Sequence, residues 1–463
     1  MSYKLTTDVF CLDHLDGCIA YAPLKGLVLM VNRAAADLLA QLHEGTGSEP
    51  DEHNLEAMSI LMDLGLVNGT PDELHEDGDG QFRPTETTLF LTRACSLRCI
   101  YCYASGGEHP NLMPWPVAQA AVDLVVENAA TLGKESVGVS FHGAGEPTLA
   151  WNLLTGVADY ARENAAHRKL NCHCGLATNG VLTAEQTDWI IEHIDDVNVS
   201  IDGLQGPHDE QRPLKDGKGS FASVWRTVEA LSEHGRPFGL RMTITAGNVR
   251  QVPEAVRFFC ERTKPGTIHI EPVFQCGRCV VESVAGPTCE EFLAVFREAR
   301  EIADQCGVRL YYSGARYPEV TMVFCQAAGK SFTVTTEGRV TACYEVADEA
   351  DPRSRLFFYG RYDEASSRFT FDDEMLRTLS ELTVRRIPFC QDCFCKYHCA
   401  GDCPAKRMAA FSGGMPDRVS SRCRITQELT KDQIIRVLHQ GSRTMRVMAR
   451  EHGISGEAEH GAT

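Results

Sequence analysis

The chain has 463 residues, 43% of them hydrophobic and 23% charged, and its 45 basic against 63 acidic side chains leave a net charge of −18. That length exceeds one ordinary core and predicts two or three domains of a soluble globular protein. The acidic balance excludes the concentrated basic surface that nucleic acid requires and disfavours docking on anionic lipid, and no apolar run approaches the ~20 residues that span a bilayer.

Residues 1–17 lack the basic start and apolar stretch of a signal peptide, which places the protein in the cytoplasm, where thiols stay reduced. Twenty cysteines in that setting point to metal rather than disulfides, the more so because they gather at 95–102, 325–343 and 390–423.

In chain order, residues 1–70 read as a small module. Cys18-Ile-Ala-Tyr-Ala-Pro and Leu27–Val31 predict two short strands around the turn Leu24-Lys25-Gly26. Asn32 can cap a helix over 33–42 with Ala36, Leu39, Ala40 and Leu42 on its apolar face. A second helix over 55–64 ends at Gly65. Residues 71–85 lie in a polar, acidic, Gly/Pro-rich stretch and read as a linker.

Between 86 and 310, candidate strands at 88–92, 137–142, 174–178, 196–202, 240–245 and 267–274 alternate with helices at 116–132, 152–166, 183–193, 220–234 and 251–263. Another helix follows over 287–305. This alternation predicts an α/β core whose parallel strands are joined by right-handed crossovers, with ligands at the strands' carboxyl ends. Residues 311–428 are cysteine-rich and include a hairpin, 332–335 with 340–342, turning at Glu337-Gly338. Residues 429–463 predict a basic amphipathic helix reaching about 450 and a disordered polar tail.

The first cysteine group, Cys95-x3-Cys99-x2-Cys102, directly follows the first strand. Three thiolates at that spacing wrap one cube of iron and sulfide and leave one iron open, where a substrate can chelate. Zinc, the alternative, normally takes four nitrogen or sulfur ligands. Here the sequence resembles the radical S-adenosylmethionine (SAM) superfamily, over residues 86–280. The resemblance implies a partial (β/α)6 barrel, a 4Fe–4S cluster on Cys95, Cys99 and Cys102, and reductive cleavage of SAM to a 5′-deoxyadenosyl radical.

It also implies the cosubstrate's contacts. Tyr101 packs near the adenine. Phe141-His-Gly-Ala-Gly-Glu-Pro147 resembles the family's Gly-Gly-Glu motif, assigning the amino group to Ala144, Gly145 and Glu146, with Ala144 standing where the family has glycine. Asn179, in Thr178-Asn179-Gly180, supports SAM after the third strand, and Ser200 bonds the ribose. Arg212, in His208-Asp-Glu-Gln-Arg212-Pro, pairs with the carboxylate in a bidentate role suited to guanidinium.

Cys325-x12-Gly338-x4-Cys343, Cys390-x2-Cys393-x5-Cys399-x3-Cys403 and Cys423 resemble the seven-cysteine SPASM extension. That implies two auxiliary 4Fe–4S clusters, one on Cys390, Cys393, Cys399 and Cys423, the other on Cys325, Cys343 and Cys403. The fourth ligand of the latter is left open between Cys276, Cys279 and none. Zinc is again the alternative, though seven ligands suit neither one nor two closed zinc sites. Cys395 reads as a packed thiol, and Cys11, Cys18, Cys172, Cys174, Cys260, Cys289 and Cys306 read as core residues.

The N-terminal module resembles the small winged-helix-like domain that binds leader peptides, which implies a ribosomally made precursor peptide or protein as substrate. A flavodoxin or ferredoxin is the expected electron donor. The expected outcome is an oxidative cross-link such as a thioether. Formylglycine formation is the second enzymatic reading, disfavoured because Tyr344-Glu345 follows Cys343 where sulfatase-maturing relatives carry an aspartate. A third reading is a non-catalytic iron–sulfur electron carrier or peptide-binding module. Asp202, Glu271, Tyr344 and Glu345 are candidate acid–base groups.

Overall fold

The computed structural model describes residues 3–14, 17–45, 54–72, 74, 81–108, 110–409 and 420–439. Part of the expected linker and the expected polar tail lie outside them.

Three antiparallel strands open the chain: β1 (Phe10–His14), β2 (Gly17–Ala22) and β3 (Leu27–Val31), in that order across the sheet. The sequence reading had no β1, because only Leu12 of its five residues is buried and its apolar signal is weak. Gly26, at φ 60°, closes the turn between β2 and β3 in the left-handed region that glycine enters without penalty. The helices Arg33–His43 and Leu55–Asp63 follow, the first capped by Asn32, whose Oδ1 accepts from Ala35 N at 2.9 Å. Its buried residues are Leu38, Leu39 and Leu42, so Ala40 faces outward, against the expected face.

Both faces of this sheet are covered, which is why β2 reads as an unbroken apolar run. Ala20, Ala22 and Leu27 pack with Leu38, Leu39, Leu42, Met58 and Leu61. On the other face Leu12, Ile19, Tyr21 and Val28 meet Ile434 of the C-terminal helix Ser421–His439. That helix begins at Ser421, ahead of the stretch 429–463 in which it was expected, in time to carry Cys423 in its first turn.

The main sheet begins with β4 (Glu86–Leu89) and continues through β5 (Ser136–Phe141), β6 (Asn171–Thr178), β7 (Asp196–Ser200), β8 (Phe238–Ile244), β9 (Thr267–Pro272) and β10 (Arg309–Tyr311). Each strand is parallel to its sequence neighbour. On the far side of β4 lies β11 (Thr333–Val334), also parallel to it, and then β12 (Arg339–Thr341), β13 (Phe358–Asp363) and β14 (Arg368–Phe371) in antiparallel pairs. The six expected strands are present inside an eleven-stranded sheet. The extra ones escaped notice for two reasons. β10 is three residues long, and β13 and β14 are half-exposed, so none of the three presents a period of two. The expected hairpin is β11–β12, and it welds the cysteine-rich region onto the sheet edge.

Alternation within the strands sorts side chains by face. Val137, Val139 and Phe141 of β5, Leu240, Met242 and Ile244 of β8, and Ile268 and Ile270 of β9 are buried in the core that also takes Val122, Val125, Leu154, Ile190, Val228 and Val256 from the helices. The intervening positions, Ser140, Arg241, Thr243, His269 and Glu271, turn a polar set to the other face. Among the described residues no helix is long and apolar enough to cross a membrane. Cys11 and Cys306, expected in the core, are exposed: one lies on the outer side of β1, the other caps the helix Cys289–Gln305.

Candidate functional site

Past β4 the chain enters the loop carrying Cys95, Cys99 and Cys102. Its outward carbonyls are taken up by two arginines. Arg98 donates to Cys95 O (3.0 Å) and Leu97 O (2.8 Å), and Arg278 donates to Cys99 O (2.9 Å) and Gly106 O (3.3 Å). The segment after Arg212 ties down the other side, Arg98 N reaching Pro213 O at 2.8 Å and Lys215 N reaching Ser96 O at 2.9 Å. The three thiols are left around a shared space, each within electrostatic reach of another. Burial pushes the Cys95 thiol up, and pushes Cys99 up to about 12 against the nearby Arg212 charge. Such thiols ionise when a metal centre binds and displaces the protons. Among the described residues no three Cys, His, Asp or Glu side chains close on one point as the ligands of a single ion would.

The turn Gly143–Glu146 lies beside this loop. A Cβ on Gly145 would stand 2.3 Å from Ala94 O and 2.6 Å from Thr92 O, so only glycine lets the two backbones meet. Ala144, in the first position of the pair, is buried. Glu146 is buried too; its Oε1 accepts from Thr148 N (3.2 Å), Thr148 Oγ1 (2.8 Å) and Thr178 Oγ1 (2.9 Å), and its Oε2 from Asn179 N (2.7 Å). Burial raises its pKa, and these bonds oppose the shift. Oε2 keeps capacity for a further donor. Asn179 Nδ2 donates to Ser96 Oγ at 3.1 Å and reaches Cys95 Sγ at 3.8 Å, joining the turn after β6 to the cysteine loop.

Arg212 completes the enclosure. Its Nη1 donates to the Tyr101 hydroxyl at 2.7 Å, and that hydroxyl donates to Asp202. Asp202 is held in turn by Gln211 Nε2 (3.0 Å) and Thr243 N (3.0 Å). It is therefore a brace for Tyr101 and Arg212 rather than a free acid–base group. Arg212 Nε is buried and has no acceptor. Ser200 ends β7 two residues before Asp202 and is half-buried. Thus Tyr101, Ala144, Gly145, Glu146, Asn179 and Arg212 are gathered round the three-thiol loop, with Ser200 at the neighbouring strand end.

The polar face of the sheet sets Arg241, His269 and His142, which motif reading passed over, beside the expected candidates Glu271 and Tyr344. Arg241 Nη1 lies 2.6 Å from His269 Nδ1, His269 Nε2 lies 3.2 Å from Glu271 Oε1, and Glu271 Oε2 faces Arg422 at 3.3 Å and Lys406 at 3.9 Å. Burial raises the pKa of Glu271, but these cations and His269 outweigh it and hold the carboxyl well below its usual range. The His142 ring lies tilted against Tyr344 (5.0 Å between centroids), and its Nδ1 is buried without a partner; burial, then Arg241, lowers its pKa to about 4. The local trace of Arg241 and His269 is the polar alternation of Phe238–Ile244 and Thr267–Pro272, which marks a face but names no partner.

The C-terminal cysteines fall into two groups. Cys390, Cys393, Cys399 and Cys423 line one cavity of about 380 Å3, with Cys395 on its wall. Hydrogen bonding from Cys395 lowers Cys393 to about 6, with Gln427 Nε2 at 3.5 Å assisting. Burial raises Cys390 to about 12. Cys325, Cys343 and Cys403 form the second group, Cys343 lying within electrostatic reach of both others. A cavity with these four thiols in its wall suits a closed cluster, and a buried guanidinium Nε without an acceptor beside a three-thiol loop suits the carboxylate of a bound ligand.

A family model described as the Radical SAM superfamily matches residues 89–259. The chain is 26% identical over 285 residues to the sporulation killing factor maturation protein SkfB of Bacillus subtilis (strain 168), covering 58% of this chain and 63% of that one. It spans less than two thirds of the curated relatives it matches most strongly. In fold it resembles native anSMEcpe with bound AdoMet (TM-score 0.60, 16% identity, 77% of this chain and 99% of that one). It also resembles Streptococcus suis SuiB bound to precursor peptide SuiA (TM-score 0.52, 14% identity, 90% and 99%).

Proposed function

Residues 89–259 are a radical SAM domain, and on that premise we propose that the chain is an enzyme that cleaves SAM reductively and modifies a ribosomally made peptide or protein, forming an oxidative thioether cross-link. The observation that carries this reading is the three-thiol loop set beside a buried guanidinium whose Nε lacks an acceptor.

Cys95, Cys99 and Cys102 would hold the SAM-binding 4Fe–4S cluster, Cys390, Cys393, Cys399 and Cys423 one auxiliary cluster, and Cys325, Cys343 and Cys403 the other. When bound, these groups supply an electron that splits SAM into methionine and a hydrogen-abstracting radical, and a sink for the electron left by peptide oxidation. The protein's own work is positional. Arg212 donates to the SAM carboxylate, kept in place by Tyr101 and Asp202. Glu146 Oε2 would accept from the amino group, with the backbone of Ala144 and Gly145 in the same turn, and Asn179 holds the turn after β6 against the cysteine loop. The Ser200 hydroxyl meets the ribose. Arg241, His269 and Glu271, locked by Arg422 and Lys406, form a fixed polar wall where the peptide's reacting carbon must sit away from bulk water.

A peptide substrate is supported by the maturation role that SkfB's name states and by the precursor peptide bound to SuiB. It is also supported by the N-terminal module, whose three-stranded sheet has β1 and β3 as edges to which a leader can add as a strand. We read residues 1–70 as this leader-binding domain, 71–85 as linker, 86–310 as the core, 311–428 as SPASM and 429–463 as a terminal helix and tail. The reaction belongs in the cytoplasm with a flavodoxin or ferredoxin as donor. Cross-linking is preferred over formylglycine formation because the residue after Cys343 is a tyrosine whose hydroxyl bonds Thr88 Oγ1 at 3.0 Å.

The test is anaerobic reconstitution followed by SAM and dithionite, and then co-expression with a short peptide encoded beside this gene. 5′-Deoxyadenosine and a peptide lighter by two hydrogens support the proposal. Protein that takes up zinc but no iron or sulfide, or that binds iron yet never consumes SAM, refutes it; loss of a thiol from a Cys-x-Pro-x-Arg peptide would favour the sulfatase-type reaction instead.

A further inference from the structure

The auxiliary group Cys325, Cys343 and Cys403 has three thiols, and residues 307–324 just before it contain no cysteine. The fourth ligand must come from elsewhere in the chain or be absent. The turn after β9 offers Cys276 and Cys279, and their surroundings differ.

This turn is pressed onto the first cysteine loop. Gly277 has φ 55°, and a Cβ there would lie 2.4 Å from Tyr103 O and 2.5 Å from Cys102 O. Arg278 N donates to Cys102 O at 2.9 Å, and the Arg278 side chain to Cys99 O at 2.9 Å. Cys279 is fully buried inside its own turn, its Sγ bonding Val284 O at 3.6 Å, a thiol committed to packing.

Cys276 is half-buried and faces a different set of neighbours. The Glu345 carboxylate lies within electrostatic reach of Cys276 and also of Cys325, Cys343 and Cys403, so one side chain neighbours all four cysteines. Lys406 reaches both Cys276 and Cys403. Its Nζ stands 3.8 Å from Glu345 Oε1 and 5.8 Å from the centroid of the Phe274 ring, two residues before Cys276. Arg353 approaches Glu345 Oε2 at 3.7 Å and also neighbours Cys276. Lys406 and Arg353 are the cations that a site of four thiolates needs to offset its negative charge.

We infer that Cys276 is the fourth ligand of the auxiliary cluster held by Cys325, Cys343 and Cys403, closing that site to substrate thiolates. The inference rests on the cluster reading proposed above. A closed site takes electrons from the peptide without binding it, and Arg278, two residues on, hydrogen-bonds it to the first cysteine loop.

The experiment uses the full chain with Cys95→Ala, Cys99→Ala and Cys102→Ala, so that only auxiliary clusters assemble. Iron, sulfide and EPR spectra are measured before and after mild ferricyanide oxidation. This parent should hold about eight irons and show no 3Fe–4S signal. Adding Cys276→Ala should produce a 3Fe–4S signal with loss of about one iron per chain, and Cys276→Ser, which keeps the volume, should shift the spectrum of the reduced cluster. Adding Cys279→Ala should leave the parent's values unchanged. A Cys276→Ala protein identical to its parent, or a 3Fe–4S signal from Cys279→Ala, overturns the assignment. A parent without iron overturns the auxiliary-cluster reading itself, and the ligand assignment with it.

Discussion

The loop Cys95–Cys102 and the segment Cys390–Cys423 both gather thiols, but they are held in place by different means. The loop hangs from the carboxyl end of β4, and its carbonyls are tied by Arg98 and Arg278, so its shape is set by a sheet whose core exists without it. The segment is held by single turns, Pro388–Cys390 and Lys396–Cys399, and by the first turn of Ser421–His439, around a cavity that the four thiols themselves line. On the cluster reading proposed above, the scaffolded site would survive loss of its cofactor, and the second site, whose wall thiols would be the ligands, would draw its fold from the metal.

The sharpest test of that contrast is a pair of variants. Cys99→Ala should abolish SAM cleavage, a loss of at least about 1,000-fold in 5′-deoxyadenosine formation, with a melting temperature near wild type. Cys393→Ala should retain SAM cleavage but lose peptide modification and melt several degrees lower. Normal turnover by the first, or a native melting curve for the second, would erase the distinction. Anaerobic removal of iron by a chelator should likewise open residues 388–409 to protease while 89–259 stays resistant, as mass spectrometry of the fragments would show.

Smaller effects refine the scaffolded half. Arg212→Lys removes Nε and the planar fork, and equilibrium dialysis should find SAM binding weakened about 10- to 100-fold. Gly145→Ala drives a methyl into Ala94 O and should cost about 1–3 kcal/mol in denaturant unfolding. Least of all, Tyr21→Phe removes the hydroxyl bonded to His398 Nε2 and should cost about 1 kcal/mol. A neutral result there would mean that the apolar contact with Ile434, not the polar one, seats the N-terminal module.

Legibility followed the range of the interactions. Cys95, Cys99 and Cys102 lie within eight residues, and β5 to β9 announce themselves by local alternation with helices, so both could be read from order alone. His142, Arg241 and His269 could not. None carries a motif of its own, and they meet only because parallel strands bring alternate positions of β8 and β9, and the residue just past β5, to one face. Asp202 was read as a candidate acid or base, but Tyr101, Gln211 and Thr243, from three separate segments, occupy its oxygens.

Local spacing and periodicity were sufficient for the α/β core, the cysteine groups and the strand ends where ligands gather, because those features depend on neighbours a few residues apart. Folding alone settled which thiol of the Cys276–Cys279 pair faces Glu345, how Arg212 comes to be buried without a full set of acceptors, and that the N-terminal sheet rests on the C-terminal helix. Those arrangements arise from packing between segments tens to hundreds of residues apart, and one-dimensional order carries no distance across such gaps.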